Sequence, residues 1–324
     1  MEDTSLVGGQ ADWMSLLPEE LLDVPLWNLA IPGSHDSMAF CLDISSPVVR
    51  SEPFLLRLID RLFPCWTRPC IYRWSATQQS ILRDQCDLGI RFLDLRIAKK
   101  PAGSSKLFFA NGIYTLVTVK EALGELDTWL DTHPKEVVIL SCSHFESLTD
   151  EDHKHLVEFM ISLFGRKLLP PQDVSTLRSC WSKGQQVIVA YDNQQVVQQH
   201  PKLWSRIPYW YADSPDPKKV IDYLNAKLHQ GRPDGFYVCG LNLTENAFYV
   251  FLHPLQSLRT MTMKALLPLL NWTAEQRPGP EGEGVNIVCC DFVGISRFCS
   301  VVINLNHKLV GGRRGTNNHL CSSH

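Results

Sequence analysis

The chain has no run of the roughly 18 apolar residues that a membrane-spanning helix requires, and no apolar stretch follows its acidic start, Met1-Glu2-Asp3-Thr4-Ser5. Neither a span nor a secretory leader is expected, and the expected location is cytoplasmic. Charge of one sign is also lacking: 31 Lys and Arg against 34 Asp and Glu leave a formal charge of -3, with the two signs interspersed. That pattern gives no footprint for nucleic acid and no basic run addressed to an anionic membrane. Zinc-ligand spacing, a phosphate-binding glycine loop, a dinucleotide fingerprint and internal repeats are all missing. The 11 cysteines have no compact spacing, and several, such as Cys289-Cys290, fall in core-like runs, so reduced buried thiols are expected rather than a disulfide framework.

What is present is enough apolar material for a large core, 44% of 324 residues. Short β-branched or aromatic runs recur at Trp27 to Ile31, Ile90 to Ala98, Leu107 to Tyr114, Glu136 to Ser143, Val187 to Tyr191, Phe236 to Leu243 and Asn286 to Phe292. Between them, helical spacing places Leu123, Leu126, Trp129 and Leu130 on one face of Val119 to Thr132. It does the same for Leu156, Phe159, Met160 and Leu163 in Asp150 to Leu168. Pro217 to His229 and Ser296 to Leu309 are further helix candidates. Strands alternating with helices predict an α/β fold, a distorted TIM-type (β/α) barrel. No loop is long enough to read as a linker between domains.

Two segments carry chemistry. Pro32-Gly33-Ser34-His35-Asp36-Ser37 ends an apolar run with a histidine beside an aspartate, and Arg91-Phe92-Leu93-Asp94-Leu95-Arg96 closes another. Strand side chains alternate, so Asp94 and Arg96 emerge on one side. Imidazole moves protons near neutral pH, and the guanidinium fork matches phosphate oxygens, so a phosphate-handling site is predicted. A salt bridge from Arg96 to Asp94 or Asp36 is a compatible structural role.

The PGSHDS turn, the Asp94-x-Arg96 strand, Leu107 to Tyr114 and Pro134-Lys135-Glu136-Val137-Val138-Ile139-Leu140-Ser141 resemble the X domain of phosphatidylinositol-specific phospholipase C. Gly184 to Val189, Gly240 to Asn246 and Asn286 to Phe292 resemble the small subgroup that consists of an X domain without regulatory modules. The resemblance implies a PLC-like barrel over residues 20-310, which leaves an N-terminal extension over 1-19; the tail over 311-324, with Gly311-Gly312-Arg313-Arg314-Gly315 and polar residues thereafter, lacks an apolar face and is expected to be flexible. It implies that His35 is the general base that deprotonates the inositol 2-hydroxyl, which attacks the adjacent phosphodiester to release diacylglycerol and a cyclic inositol phosphate. Arg96 would stabilise the phosphate charge and Asp291 would orient His35. Asp36 would face the arginine or the acid position, and Asp94 would hold Arg96 or a substrate hydroxyl.

Ser143 stands where the family places a carboxylate, and Arg96 puts a cation where calcium-dependent members have an acid, so metal independence is expected and no cofactor. Tyr191, with Asp192, and Asn242 end strands where substrate contacts are implied; each is also a plausible loop cap. Asn111 occupies the place of a second catalytic histidine and cannot transfer a proton. Three readings follow: a slow enzyme, one that draws its acid from Asp36 or His144, or a phosphoinositide-binding or scaffold protein without turnover. Asp36 is expected to stay ionised beside arginine, and alternation is expected to turn His144 away. The expected partners are a phosphoinositide or related phosphodiester lipid and, transiently, a membrane surface, with Tyr209-Trp210-Tyr211 a candidate for interfacial contact. No nucleic-acid partner is expected, and the oligomeric state is not legible.

Overall fold

A computed structural model of the chain describes residues 10-101, 105-245, 250 and 255-313. Strands β1 (Ile31–Ser34), β2 (Phe92–Lys99), β5 (Val138–Glu146), β6 (Val187–Tyr191), β7 (Trp204–Ser205), β8 (Tyr209–Trp210), β9 (Val238–Gly240) and β10 (Ile287–Cys290) form one curled sheet in the order β7-β6-β5-β2-β1-β10-β9-β8. Every pairing along that path is parallel, as crossover helices on the outer face require. No ladder joins β7 to β8 among the described residues, so the barrel has an open seam. This is the distorted (β/α) barrel that the alternating pattern predicts.

Strand alternation sorts the core into two shells. Ile31, Phe92, Ile139, Ile188, Val238 and Ile287 share one parity and pack together inside. Leu93, Leu95, Leu140, Val189, Cys239 and Val288 face outward onto helices, meeting Leu126, Leu156, Met160, Leu224 and Leu269. Two of those helices, α4 (Val119–Thr132) and α5 (Asp150–Phe164), begin with reciprocal caps in which Thr118 pairs with Glu121 and Thr149 with Asp152.

The bottom of the barrel is closed by the chain's own beginning. Trp13, Met14 and Leu17 are buried in the inner cluster, and Trp13 Nε1 donates to Gly89 O at 2.9 Å. Beside them lies a fully buried ion pair in which Arg91 Nη2 and Nε donate to Glu136 Oε2 at 2.6 and 2.9 Å, while Nη1 reaches the backbone carbonyls of Cys86 and Ile90. The boundary drawn at residue 20 thus cuts through packed core. At the other end a helix covers His307–Arg313, and the rest of the predicted tail, from 314 on, lies outside the described residues.

The run Leu107 to Tyr114 is not one strand. It folds as an antiparallel hairpin, β3 (Leu107–Asn111) and β4 (Ile113–Thr118), because Gly112 turns the chain at φ 68°. A Cβ there would lie 2.7 Å from Ile71, so the turn needs glycine. Ten cysteines among the described residues are unpaired, most of them buried, with Cys65 exposed.

The long segment between β1 and β2 carries helices α1 (Phe54–Leu62) and α2 (Pro64–Ser75), neither of which the apolar pattern marked. Their polarity is inverted. Asp60 is 5% exposed and paired to Arg68 Nε at 2.9 Å, while Phe54 is 71%, Leu55 65% and Trp66 66% exposed. Leu58, Leu62 and Phe63 continue this apolar face.

Candidate active site

At the C-terminal ends of the strands the inward parity switches from apolar to polar. After Ile31 and Gly33 comes His35; after Phe92 come Asp94 and Arg96; after Ile139 come Ser141 and Ser143. These groups line a cavity of about 400 Å³, together with Asn111, His144, Asp192, Tyr209 and Asn242. Parallel register sets Asp94 beside Ser141 and Arg96 beside Ser143.

His35 is held at both ring nitrogens. Nδ1 lies 2.7 Å from Asp291 Oδ1, and Nε2 lies 2.7 Å from Arg96 Nη2. Because a guanidinium only donates, a neutral His35 carries its proton on Nδ1 and offers the Nε2 lone pair to Arg96. Burial opposes charge on the imidazole, but attraction and hydrogen bonding from Asp291 outweigh it and raise the pKa above its usual 6.5. Arg96 Nε lies 3.7 Å from both Asp36 Oδ2 and Asp94 Oδ2, so the guanidinium sits among two acidic side chains and the imidazole. Asp94 also accepts from the backbone N–H of Asp36 at 3.1 Å and from Ser143 Oγ at 3.4 Å.

The turns that present His35 and Asp291 are both strained and stapled together. Asp36 and Phe292, the residues that follow them, have φ of 38° and 52°, a region that bulky side chains seldom enter. Gln78 Nε2 donates to His35 O at 2.9 Å and Cys290 O at 3.2 Å, and Thr77 Oγ1 donates to Asp36 O at 2.8 Å. Nothing in the sequence marked Thr77 or Gln78 as positioning residues, because they lie in an irregular loop.

Three expectations change. Asp36 is not held ionised by its arginine: burial outweighs Arg96 and lifts its pKa to about 7. It is almost fully buried and does not line the cavity, and its carboxylate oxygens meet no hydrogen-bond donor among the described residues. His144 is not turned away; a left-handed backbone at φ 48° breaks the alternation and brings it to the cavity, where Ser143 Oγ lies 2.9 Å from its Nδ1. Burial, then Arg96, lowers its pKa and keeps the ring neutral. Tyr191 is not at the cavity. It shares the outward parity of Val187 and Val189 and packs on Phe145, with its hydroxyl 2.7 Å from His153 Nδ1. Its neighbour Asp192 lines the cavity instead and pairs with Arg206 at 3.7 Å.

Asn111 lines the cavity with Nδ2 donating to Ser75 O at 2.8 Å. Asn242 accepts from the Tyr209 hydroxyl at 2.8 Å, a pair that Gly240 makes room for, since a Cβ there would stand 2.5 Å from the tyrosine ring. Tyr209 faces His35 with ring centres 6.2 Å apart. Two acids that sequence reasoning did not place in the site, Glu52 and Glu245, also line it. Among the described residues no cluster of three or more His, Cys, Asp or Glu has a metal-holding arrangement.

The architecture matches phosphatidylinositol-specific phospholipase C of Listeria monocytogenes with a TM-score of 0.64 at 18% identity, over 92% of this chain and 98% of that one. It matches the Staphylococcus aureus enzyme at 0.63 and 16%, over 92% and 97%. The fold is that of a phospholipase C-like barrel. The family model PI-PLC X matches residues 73-233. PI-PLC X domain-containing protein 1 of Danio rerio is 48% identical over 91% of this chain and 96% of its own. The Homo sapiens protein 1 is 46% identical over 92% and 93%, and protein 3 of Danio rerio 39% over 92% and 94%. The chain belongs to the family of PI-PLC X domain-containing proteins.

Proposed function

We propose that the protein cleaves phosphatidylinositol-type phosphodiesters without a metal ion, giving diacylglycerol and a cyclic inositol phosphate. The continuous chain Asp291–His35–Arg96 at the cavity carries this reading. Asp291 fixes the tautomer, so Nε2 is the nitrogen that accepts the proton. The substrate 2-hydroxyl takes Arg96's place on Nε2, and the displaced guanidinium moves to the non-bridging phosphate oxygens, where charge grows in the transition state. Nucleophile and phosphorus belong to one molecule, so proximity is built into the substrate. The Arg96 cation among Asp36 and Asp94 repels a divalent cation from the same place, which supports metal independence.

The lipid is met at the α1–α2 face. That hairpin leaves the cavity at Glu52 and returns to it at Trp74 and Ser75, so the helices that carry the exposed apolar side are joined to the cavity at both ends. Arg57 and Arg61 stand among Phe54, Leu58 and Leu62 on α1, suiting an apolar surface beneath anionic headgroups.

A second reading, a phosphoinositide-binding protein without turnover, is favoured by Asn111, whose amide is engaged by Ser75 O. Phosphatidylinositol turnover in excess chelator, lost in His35→Ala, separates the two.

A further inference from the structure

We propose that Glu245 is the general acid that protonates the leaving glycerol oxygen, the part that Asn111 cannot play. The assignment rests on the phosphodiesterase reading and adds to it a catalytic residue.

Among the groups near the base, Glu245 has the access the others lack. Asp36 is behind the cavity wall, and His144 is kept neutral with Nδ1 against Ser143. Glu245 lines the cavity with His35 and Asn111. Its backbone is anchored, because Thr244 N–H donates to Ser214 O at 3.0 Å and Leu241 N–H to Cys289 O at 2.8 Å. Glu52 reaches the same cavity from the loop laid on the β3–β4 turn, where Val49 N–H donates to Gly112 O at 2.9 Å. Glu52, Glu245 and Asn111 thus line one cavity. Among the described residues no cation forms an ion pair with either carboxyl.

Two carboxyls in one cavity, neither of them ion-paired among the described residues, favour keeping a proton. Burial above all, with smaller contributions from the Asp291 charge and then the Glu52 charge, raises the pKa of Glu245 to about 7, against a backbone hydrogen bond and the pull of His35. Glu52 is itself raised, by burial and by Glu146. An acid poised near neutrality is what proton donation to an alkoxide requires.

The proton balance closes. His35 Nε2 takes the proton of the 2-hydroxyl, that oxygen bonds to phosphorus, and the phosphorus–glycerol oxygen bond breaks. The departing oxygen takes the Glu245 proton and leaves as diacylglycerol. One imidazolium and one carboxylate remain, and transfer of the proton between them through water restores the starting state.

The test compares phosphatidylinositol with an inositol aryl phosphodiester, whose leaving group needs little acid help, in the full chain and its Glu245→Gln, Glu245→Asp and His35→Ala variants. The expected result is a loss of roughly 10²- to 10⁴-fold in kcat on the lipid for Glu245→Gln and less than about tenfold on the aryl substrate. Glu245→Asp should recover part of the lipid activity. Glu52→Gln should move the alkaline limb of kcat slightly to lower pH, since it removes the weaker of the two charges that raise Glu245. Equal losses on both substrates, or unchanged lipid turnover in Glu245→Gln, would overturn the assignment while leaving the enzyme reading intact. No turnover of either substrate by the native chain would overturn that reading, and the assignment with it.

Discussion

Arg96 donates its Nη2 hydrogen to Nε2 of His35 at 2.7 Å, on the nitrogen opposite the one held by Asp291. Imidazole and guanidinium thus occupy each other in the free protein. In the proposed reaction the substrate hydroxyl displaces the guanidinium from Nε2, which frees Arg96 for the phosphate before His35 takes the proton, and the cation that then forms on the imidazole keeps Arg96 from returning.

Asp291 is the group that raises the His35 pKa against burial. Because the working base is neutral, the acid limb of kcat/KM should lie above the ordinary histidine value of 6.5. Asp291→Asn should shift that limb downward and reduce kcat by about tenfold or more, since the imidazolium loses its counter-charge. A pH–rate profile of the two proteins reads both effects; a limb that stays in place would remove Asp291 from this role.

Asp36 gives a stability prediction of definite sign. Its folded pKa, about 7, is above the unfolded value of 3.8, so its contribution to stability is fully present below about pH 4 and is lost as pH rises through 7. Asp36→Asn removes the titration, and asparagine tolerates the left-handed backbone at this position. The variant should exceed the native Tm at pH 8, by a margin that shrinks at pH 5, while turning over substrate more slowly because Arg96 loses a carboxylate that positions it. A Tm difference independent of pH would contradict the assignment.

The parity rule explains how much of this was legible in the sequence. Phe92, Asp94 and Arg96 share one face of a strand, so their convergence on the cavity follows from alternation alone, as does the barrel from the recurring apolar runs. The same rule, applied to Val187, Val189 and Tyr191, sends the tyrosine outward to Phe145 and His153. His144 escapes it because its backbone is left-handed, a feature with no sequence signal in a histidine. Thr77, Gln78, Glu52 and Glu245 lie in irregular segments, where only the folded chain decides what meets what. The α1–α2 hairpin hid for a different reason: its apolar residues point out, so reading them for a core-facing stripe finds none.

That inverted hairpin should be separable from the chemistry. Phe54→Ser, Leu55→Ser and Trp66→Ser combined remove exposed apolar surface and should leave Tm unchanged, while lowering binding to vesicles containing anionic lipid by at least about tenfold. Cosedimentation with vesicles lacking phosphatidylinositol measures the effect without any contribution from the cavity. Undiminished binding would place the lipid-facing surface elsewhere.

The measurement that bears most directly on the central claim is turnover of phosphatidylinositol in mixed micelles with excess chelator, for the native chain, His35→Ala and Asn111→His. Chelator-resistant native turnover that His35→Ala abolishes is expected, with an equal or faster rate for Asn111→His. No native turnover, or activity that appears only on adding a divalent cation, would contradict it.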